Sequence, residues 1–140
     1  MKRRSKYTPR GQKLSVRRSV AGKGLFAEEE IPKGVCIIEY TGRVLGKKES
    51  EESRGRYLFE VNARKTIDGN IPSNPARYIN HSCRPNCEVA IRNGRVFIFS
   101  RKRIAAGTEL AYDYGKEYFD AFIKPKGCRC EKHRIEKKAS

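Results

Sequence analysis

The pair Asn93-Gly94, set within "CEVAIRNGRVFIFS", narrows the fold more than any other feature of this 140-residue chain. A type I′ hairpin turn needs positive φ at both central positions, and Asn-Gly supplies that at little steric cost. A two-residue hairpin closed there sets Ile91 opposite Val96 and Val89 opposite Ile98. On the other face Ala90 meets Phe97, with Phe99 beside it. Both faces are apolar, so the hairpin is expected in the interior rather than as a surface ribbon.

The rest of the chain reads the same way. Short β-prone runs, "LSVRRSV", "GLFAEE", "VCIIEYTGRVL", "RYLFEVN" and "KTIDG", are punctuated by Gly and Pro in "IPKG" and "NIPSNP". The expectation is one mainly β domain of many short strands, without internal repeats. The polar stretch 46–55, "GKKESEESRG", is either a short helix or a loop. Residues 1–13 read as a basic N-terminal tail with little order of its own. After Gly115, "KEYFDAFIKPKG" spaces Tyr118, Phe119, Phe122 and Ile123 as one helical face suited to packing on the core.

Lys and Arg number 32 against 16 Asp and Glu, a formal charge of +16. Such a surface is either simply solvated or attracts anionic partners such as nucleic acid. No apolar run approaches the roughly 18 residues of a membrane span, and no signal-peptide core follows Met1. A soluble intracellular protein without a membrane partner is expected. The five cysteines include Cys128 and Cys130, one residue apart, a spacing that suits thiolate metal ligation better than a disulfide framework. Cys36 and Cys87 fall in strand-like runs and read as core residues.

Four motifs carry candidate chemistry, and each alone has a plain packing explanation. In "AGKGLFA", Gly22 and Gly24 lack Cβ atoms and let a small molecule lie against the backbone, or simply make a tight turn. "EYTG" puts Tyr40 at a strand end before Gly42. "LAYDYG" places Tyr112 and Tyr114 on one strand face and Ala111 and Asp113 on the other, as cross-strand packing or as a hydroxyl-tipped channel. "RYINHSC" sets Asn80-His81 beside Ser82-Cys83, where the histidine is either functional or a satisfied core residue.

Taken together and in order, "GKGLFA", "EYTG", "RYLF", "ARYINHSCRPNC", "GTELAYDYG" and a final "CRC" resemble the SET domain. That is the lysine methyltransferase family that uses S-adenosylmethionine. The likeness runs from about Leu14 to His133, and "NHSCRPNC" followed by "YDYG" is its specific part. It implies a SET domain over 14–116 and a post-SET tail with a zinc knuckle over 117–140. No cysteine-rich segment precedes the motifs and the insert after "EYTG" is short, so a minimal stand-alone domain is expected. The implied fold is β-clip-like with a knot-like threaded C-terminal segment, an arrangement most chains avoid.

The resemblance also implies site roles. Asn80 and His81 hold the cofactor's adenine and amino groups, and Ala21, Gly22, Lys23, Gly24, Leu25 and Tyr57 complete the pocket. Tyr114 stands beside the sulfonium and the amine, with Tyr40 and Tyr112 as channel wall. Cys83, Cys128, Cys130 and His133 would hold one zinc ion. The family's tail usually reads Cys-x-Cys-x4-Cys, but position 135 is Ile135, so His133 is the nearest ligand-capable residue after "CRC".

The implied activity is methylation of a lysine in a histone or another basic protein. By the same resemblance, tyrosine at the first position of "YDY", Tyr112, implies mono- or dimethyllysine as the main product. Chromatin would be the site of action in a eukaryote or an infected host, and the cytoplasm in a bacterium. A basic substrate facing a +16 enzyme calls for a local acidic lip, with Glu49, Glu51 and Glu52, or Glu117 and Asp120, as candidates. The alternative is a non-catalytic basic nucleic-acid or chromatin-binding module with a zinc knuckle. Aromatic residues do not interleave with a basic stripe, which favours the channel.

Overall fold

The computed structural model describes residues 5–19, 22–53 and 57–115. The Asn93-Gly94 turn forms as expected, with φ of 52° and 73°. It joins β8 (Cys87–Arg92) to β9 (Arg95–Ser100) in the anticipated register, Ile91 opposite Val96 and Val89 opposite Ile98. β3 (Cys36–Tyr40) pairs with the free side of β9, so the sheet order is β3-β9-β8.

β9 is therefore central, and period-two alternation divides its side chains between two cores. Val96 and Ile98 enter the main core with Leu25, Ile31, Ile104 and Leu110. Phe97 and Phe99 enter a smaller cluster with Cys36. The expectation of a wholly interior hairpin needs correcting. β8 is an edge strand, and Ile91 is 49% exposed.

The early runs become β1 (Leu14–Ser19) and β2 (Gly22–Ala27), an antiparallel pair. A second three-stranded sheet has the order β4-β6-β5, built from β4 (Arg43–Leu45), β5 (Leu58–Asn62) and β6 (Lys65–Asp68). "VCIIEYTGRVL" thus supplies two strands that part at Thr41-Gly42. The polar interlude is a helix, α1 (Lys47–Glu52), with no buried residue. A 3₁₀ turn at Pro75–Tyr78 leads into β7 (Asn80–His81), which pairs in parallel with β10 (Ala111–Tyr112). The mainly β reading holds.

Part of the expected N-terminal tail is packed. Tyr7 lies 5.4 Å from the Phe97 ring and 5.7 Å, edge-on, from Phe99, capping the smaller cluster. The Arg10 amide donates to the Cys36 carbonyl at 3.1 Å. The helical face expected at Tyr118 to Ile123 lies outside the described residues.

Two loops are tied by fully buried Asn74, whose Oδ1 accepts from the Thr41 amide at 3.2 Å while Nδ2 donates to the Gly69 carbonyl at 3.0 Å. That tie draws residues 41–42 onto residues 68–69. A Cβ at Gly42 would fall 2.1 Å from the Asp68 carbonyl oxygen, which is backbone and yields little. Gly42→Ala is therefore expected to destabilise the fold by about 2–3 kcal/mol, read as a lowered urea midpoint. Gly46→Ala, with nothing within 4 Å of its new methyl, should stay within about 0.5 kcal/mol of the parent.

Candidate functional site

β7 is two residues long, and its successive side chains leave on opposite sides. Asn80 looks into an open cleft of about 750 Å³, walled also by Ser19, Gly22, Lys23, Tyr57, Arg77 and Tyr78. That volume is typical of a small-molecule site. The Tyr57 and Tyr78 rings meet nearly edge-on with centroids 6.0 Å apart. The Lys23 ammonium sits 5.4 Å from the Tyr78 ring centre and the Arg77 guanidinium 4.4 Å from it. Arg77 donates to the Tyr78 hydroxyl at 2.8 Å and to the Asn74 carbonyl at 2.9 Å, while its Nε is buried without a partner. The cleft thus offers aromatic surface, cations and a carboxamide.

His81 turns the other way, into a column of rings. Its centroid is 5.4 Å from Tyr114, which is 4.8 Å from Tyr112. Phe59 stands 6.5 Å from Tyr112 and 5.3 Å from Tyr40. The three tyrosines singled out in the sequence are brought together, with Phe59 joining Tyr40 to Tyr112. The Tyr114 hydroxyl donates to the Ile79 carbonyl, and the Tyr40 hydroxyl donates to the Tyr57 carbonyl at 2.8 Å. The Tyr114 amide donates to His81 Nδ1 at 3.1 Å. An accepting Nδ1 leaves the proton of the neutral ring on Nε2, which faces Cys83 Sγ at 3.3 Å.

Of the other pocket candidates, Gly22, Lys23, Tyr57 and Asn80 line the cleft. Gly24, Leu25 and His81 do not. Leu25 is 1% exposed in the main core, and its carbonyl accepts from the Leu110 amide at 2.8 Å. Gly24 lies against the Glu109 carboxylate, whose Oε2 would be 2.3 Å from an added Cβ. Ala21, Cys128, Cys130 and His133 lie outside the described residues. Cys83 is partly exposed, and no group of three His, Cys, Asp or Glu that could hold a metal occurs among the described residues.

Cys36 and Cys87 are buried as the sequence indicated, and burial pushes the Cys87 thiol up to about 12, so it stays protonated and inert. Five residues of the site were not singled out in the sequence: Ser19, Phe59, Arg77, Tyr78 and Glu109. Phe59, Arg77 and Tyr78 sit inside quoted motifs, where aromatic and cationic types were already a signal. Glu109 gave one too, as an acid just before an apolar strand.

Residues 22–115 match the family model for the SET domain. The chain is 36% identical over 116 residues to human Histone-lysine N-methyltransferase 2D, covering 74% of this chain and 2% of that protein. It is 42% identical over 111 residues to Histone-lysine N-methyltransferase ASHH1 of Arabidopsis thaliana, covering 70% of this chain and 23% of the relative. With Histone-lysine N-methyltransferase trr of Drosophila melanogaster, identity is 39% over 110 residues, 70% of this chain and 4% of the relative. The chain spans less than a quarter of the length of each of these relatives.

Proposed function

The chain belongs to the SET-domain family, and from that premise we propose that it transfers a methyl group from S-adenosylmethionine to a lysine ε-amine. The observation that carries this reading is strand β7, with a cofactor-sized cleft at Asn80 and a tyrosine column at His81 and Tyr114. S-adenosylmethionine, bound in the cleft, supplies a methyl group on a cationic sulfonium. The fit is chemical: Tyr57 and Tyr78 offer ring faces to an adenine, Lys23 a cation to a carboxylate, and Asn80 a carboxamide to the amino-acid tail.

The chain's own task is to present the amine neutral and aligned. A free lysine has pKa near 10.4, so at pH 7 only about one in 2,500 is neutral, a deficit of roughly 4.6 kcal/mol. A narrow aromatic passage beside a cation lowers that pKa by desolvation and like-charge repulsion, so no carboxylate base is required. Tyr40 and Tyr112, both buried, serve as passage walls. Tyr114, its hydroxyl fixed by the Ile79 carbonyl, is the tyrosine assigned to the transfer point, where it and nearby carbonyls hold the amine in line.

The relatives' names speak of histone lysines, and a histone or similar basic protein is the substrate proposed here. Chromatin in the nucleus is then the place of action. The +16 charge assists by contact with nucleic acid. The exposed acids Glu49, Glu51 and Glu52 on α1 are candidates for a lip that meets a basic tail. The non-catalytic module is the weaker reading, because it gives the tyrosine column no task.

Three outcomes test the proposal. Labelled cofactor with a histone panel should give methyllysine, and Tyr114→Phe should cut the rate on the order of a hundredfold through lost alignment. Cofactor-independent, salt-sensitive DNA binding without methyl transfer would favour the alternative.

The second concerns the product. The Tyr112 hydroxyl can hold the amine directly or through a water, which a methylated amine must displace. Losing those bonds costs on the order of 1–3 kcal/mol, enough to slow later transfers tenfold or more. Mono- or dimethyllysine should dominate, and Tyr112→Phe should push the product higher, read by mass spectrometry of a single-lysine peptide.

The third concerns metal. The reading assigns 14–116 to the SET domain and 117–140 to a post-SET tail, in which Cys128, Cys130 and His133 join Cys83 around one structural zinc ion. Elemental analysis of metal-replete protein should give about one equivalent, and less than half would count against the site.

A further inference from the structure

The Glu109 carboxylate lies against Gly24 beside β7 and accepts three hydrogen bonds. Ser19 Oγ donates to its two carboxylate oxygens at 2.8 and 3.0 Å, and Asn80 Nδ2 donates to Oε2 at 2.8 Å. The same Asn80 nitrogen donates to the Lys23 carbonyl at 2.9 Å. A carboxamide has two N–H donors and one carbonyl acceptor, so both donors are spent. Reversing the amide would press its oxygen against a carboxylate and a carbonyl, which offer only lone pairs. The lack of a side chain at Gly24 is what admits the carboxylate, since a Cβ there would lie 2.3 Å from Oε2.

We infer that Glu109 is a positioning residue that fixes the orientation of the Asn80 carboxamide, so that Asn80 presents only its acceptor oxygen to the cofactor's amino group, which the proposed function already places against it. The inference rests on the methyltransferase reading above. Glu109 acts through Asn80 and Ser19, and is not itself among the residues lining the cleft. Both its carboxylate oxygens accept hydrogen bonds, which makes the amide's orientation one-sided. A glutamine in its place keeps an acceptor for Asn80 and turns its own N–H₂ toward the Ser19 hydroxyl. An alanine leaves the Lys23 carbonyl as the single constraint.

The test is calorimetric binding of S-adenosylhomocysteine and of its analogue lacking only the α-amino group, to the full chain and its variants. The parent protein should prefer the amino-bearing ligand by about tenfold, the scale of one charge-assisted hydrogen bond. Glu109→Ala should lose most of that preference, whereas Glu109→Gln should keep it. Ser19→Ala, at the end of a strand in a two-stranded pair, loosens the carboxylate with little threat to the fold and should lose a part of the preference.

A Glu109→Ala protein that weakens both ligands equally overturns the inference. So does an unchanged preference in Ser19→Ala, which decides the matter if the alanine variant fails to fold. A parent protein that binds neither ligand overturns the methyltransferase reading itself, and the inference with it. Parent binding with an unaltered ligand preference in the two alanine variants overturns the inference alone.

Discussion

The geometry around β7 and β10 is clamped by one buried side chain, Asn86. Its Nδ2 donates to the Glu109 carbonyl and its Oδ1 accepts from the Ala111 amide, both at 2.9 Å. These two bonds hold the segment entering β10 at the depth where Ala111 pairs with Asn80 and Tyr112 with His81. A parallel pair only two residues long contributes little by itself, so its alignment leans on the asparagine and on Leu110, whose amide bonds the Leu25 carbonyl. On either side of that clamp the Glu109 carboxylate meets Asn80, and the Tyr114 hydroxyl meets the Ile79 carbonyl.

The core supplies the rigidity on which such short strands rely. β9 is buried on both faces, so it couples the main core to the smaller aromatic cluster capped by Tyr7. Leu25 and Leu110 bring their side chains into the main core, and their backbones bond each other. β2 and the approach to β10 are therefore fixed relative to one another by packing as well as by hydrogen bonds. The cleft opens where that packing stops, at Gly22 and Lys23.

Much of this was legible in the residues. Asn-Gly dictated a turn that few other pairs adopt, and the hairpin register followed from counting outward. That Tyr112 and Tyr114 lie ring to ring followed from their spacing in "LAYDYG", whereas the approach of Tyr40 through Phe59 is a tertiary contact that spacing does not show. Neighbour number is different. Alternation says which face a residue takes but not whether another strand lies beyond, so the edge position of β8 and the exposure of Ile91 were hidden. Tyr7 was hidden in a basic stretch, since a single aromatic ring that caps a cluster leaves no periodicity. Leu25 was grouped with the glycines around it, yet its side chain belongs to the core because β2 turns alternate residues inward.

The outer side of β2 has a consequence for synthesis. The Ala27 amide donates to the Thr108 carbonyl, the Leu110 amide to the Leu25 carbonyl, and the Gly107 amide to the Ala27 carbonyl. The partners of β2 on that side thus lie some eighty residues downstream, and a nascent chain carries this edge unpaired until they emerge. Unpaired edges recruit other strands. Relief comes late, when residues 107–110 arrive, and the same closure seats Glu109 over Gly24. For this chain, pairing the late edge of β2 and seating the carboxylate that holds Asn80 are one event.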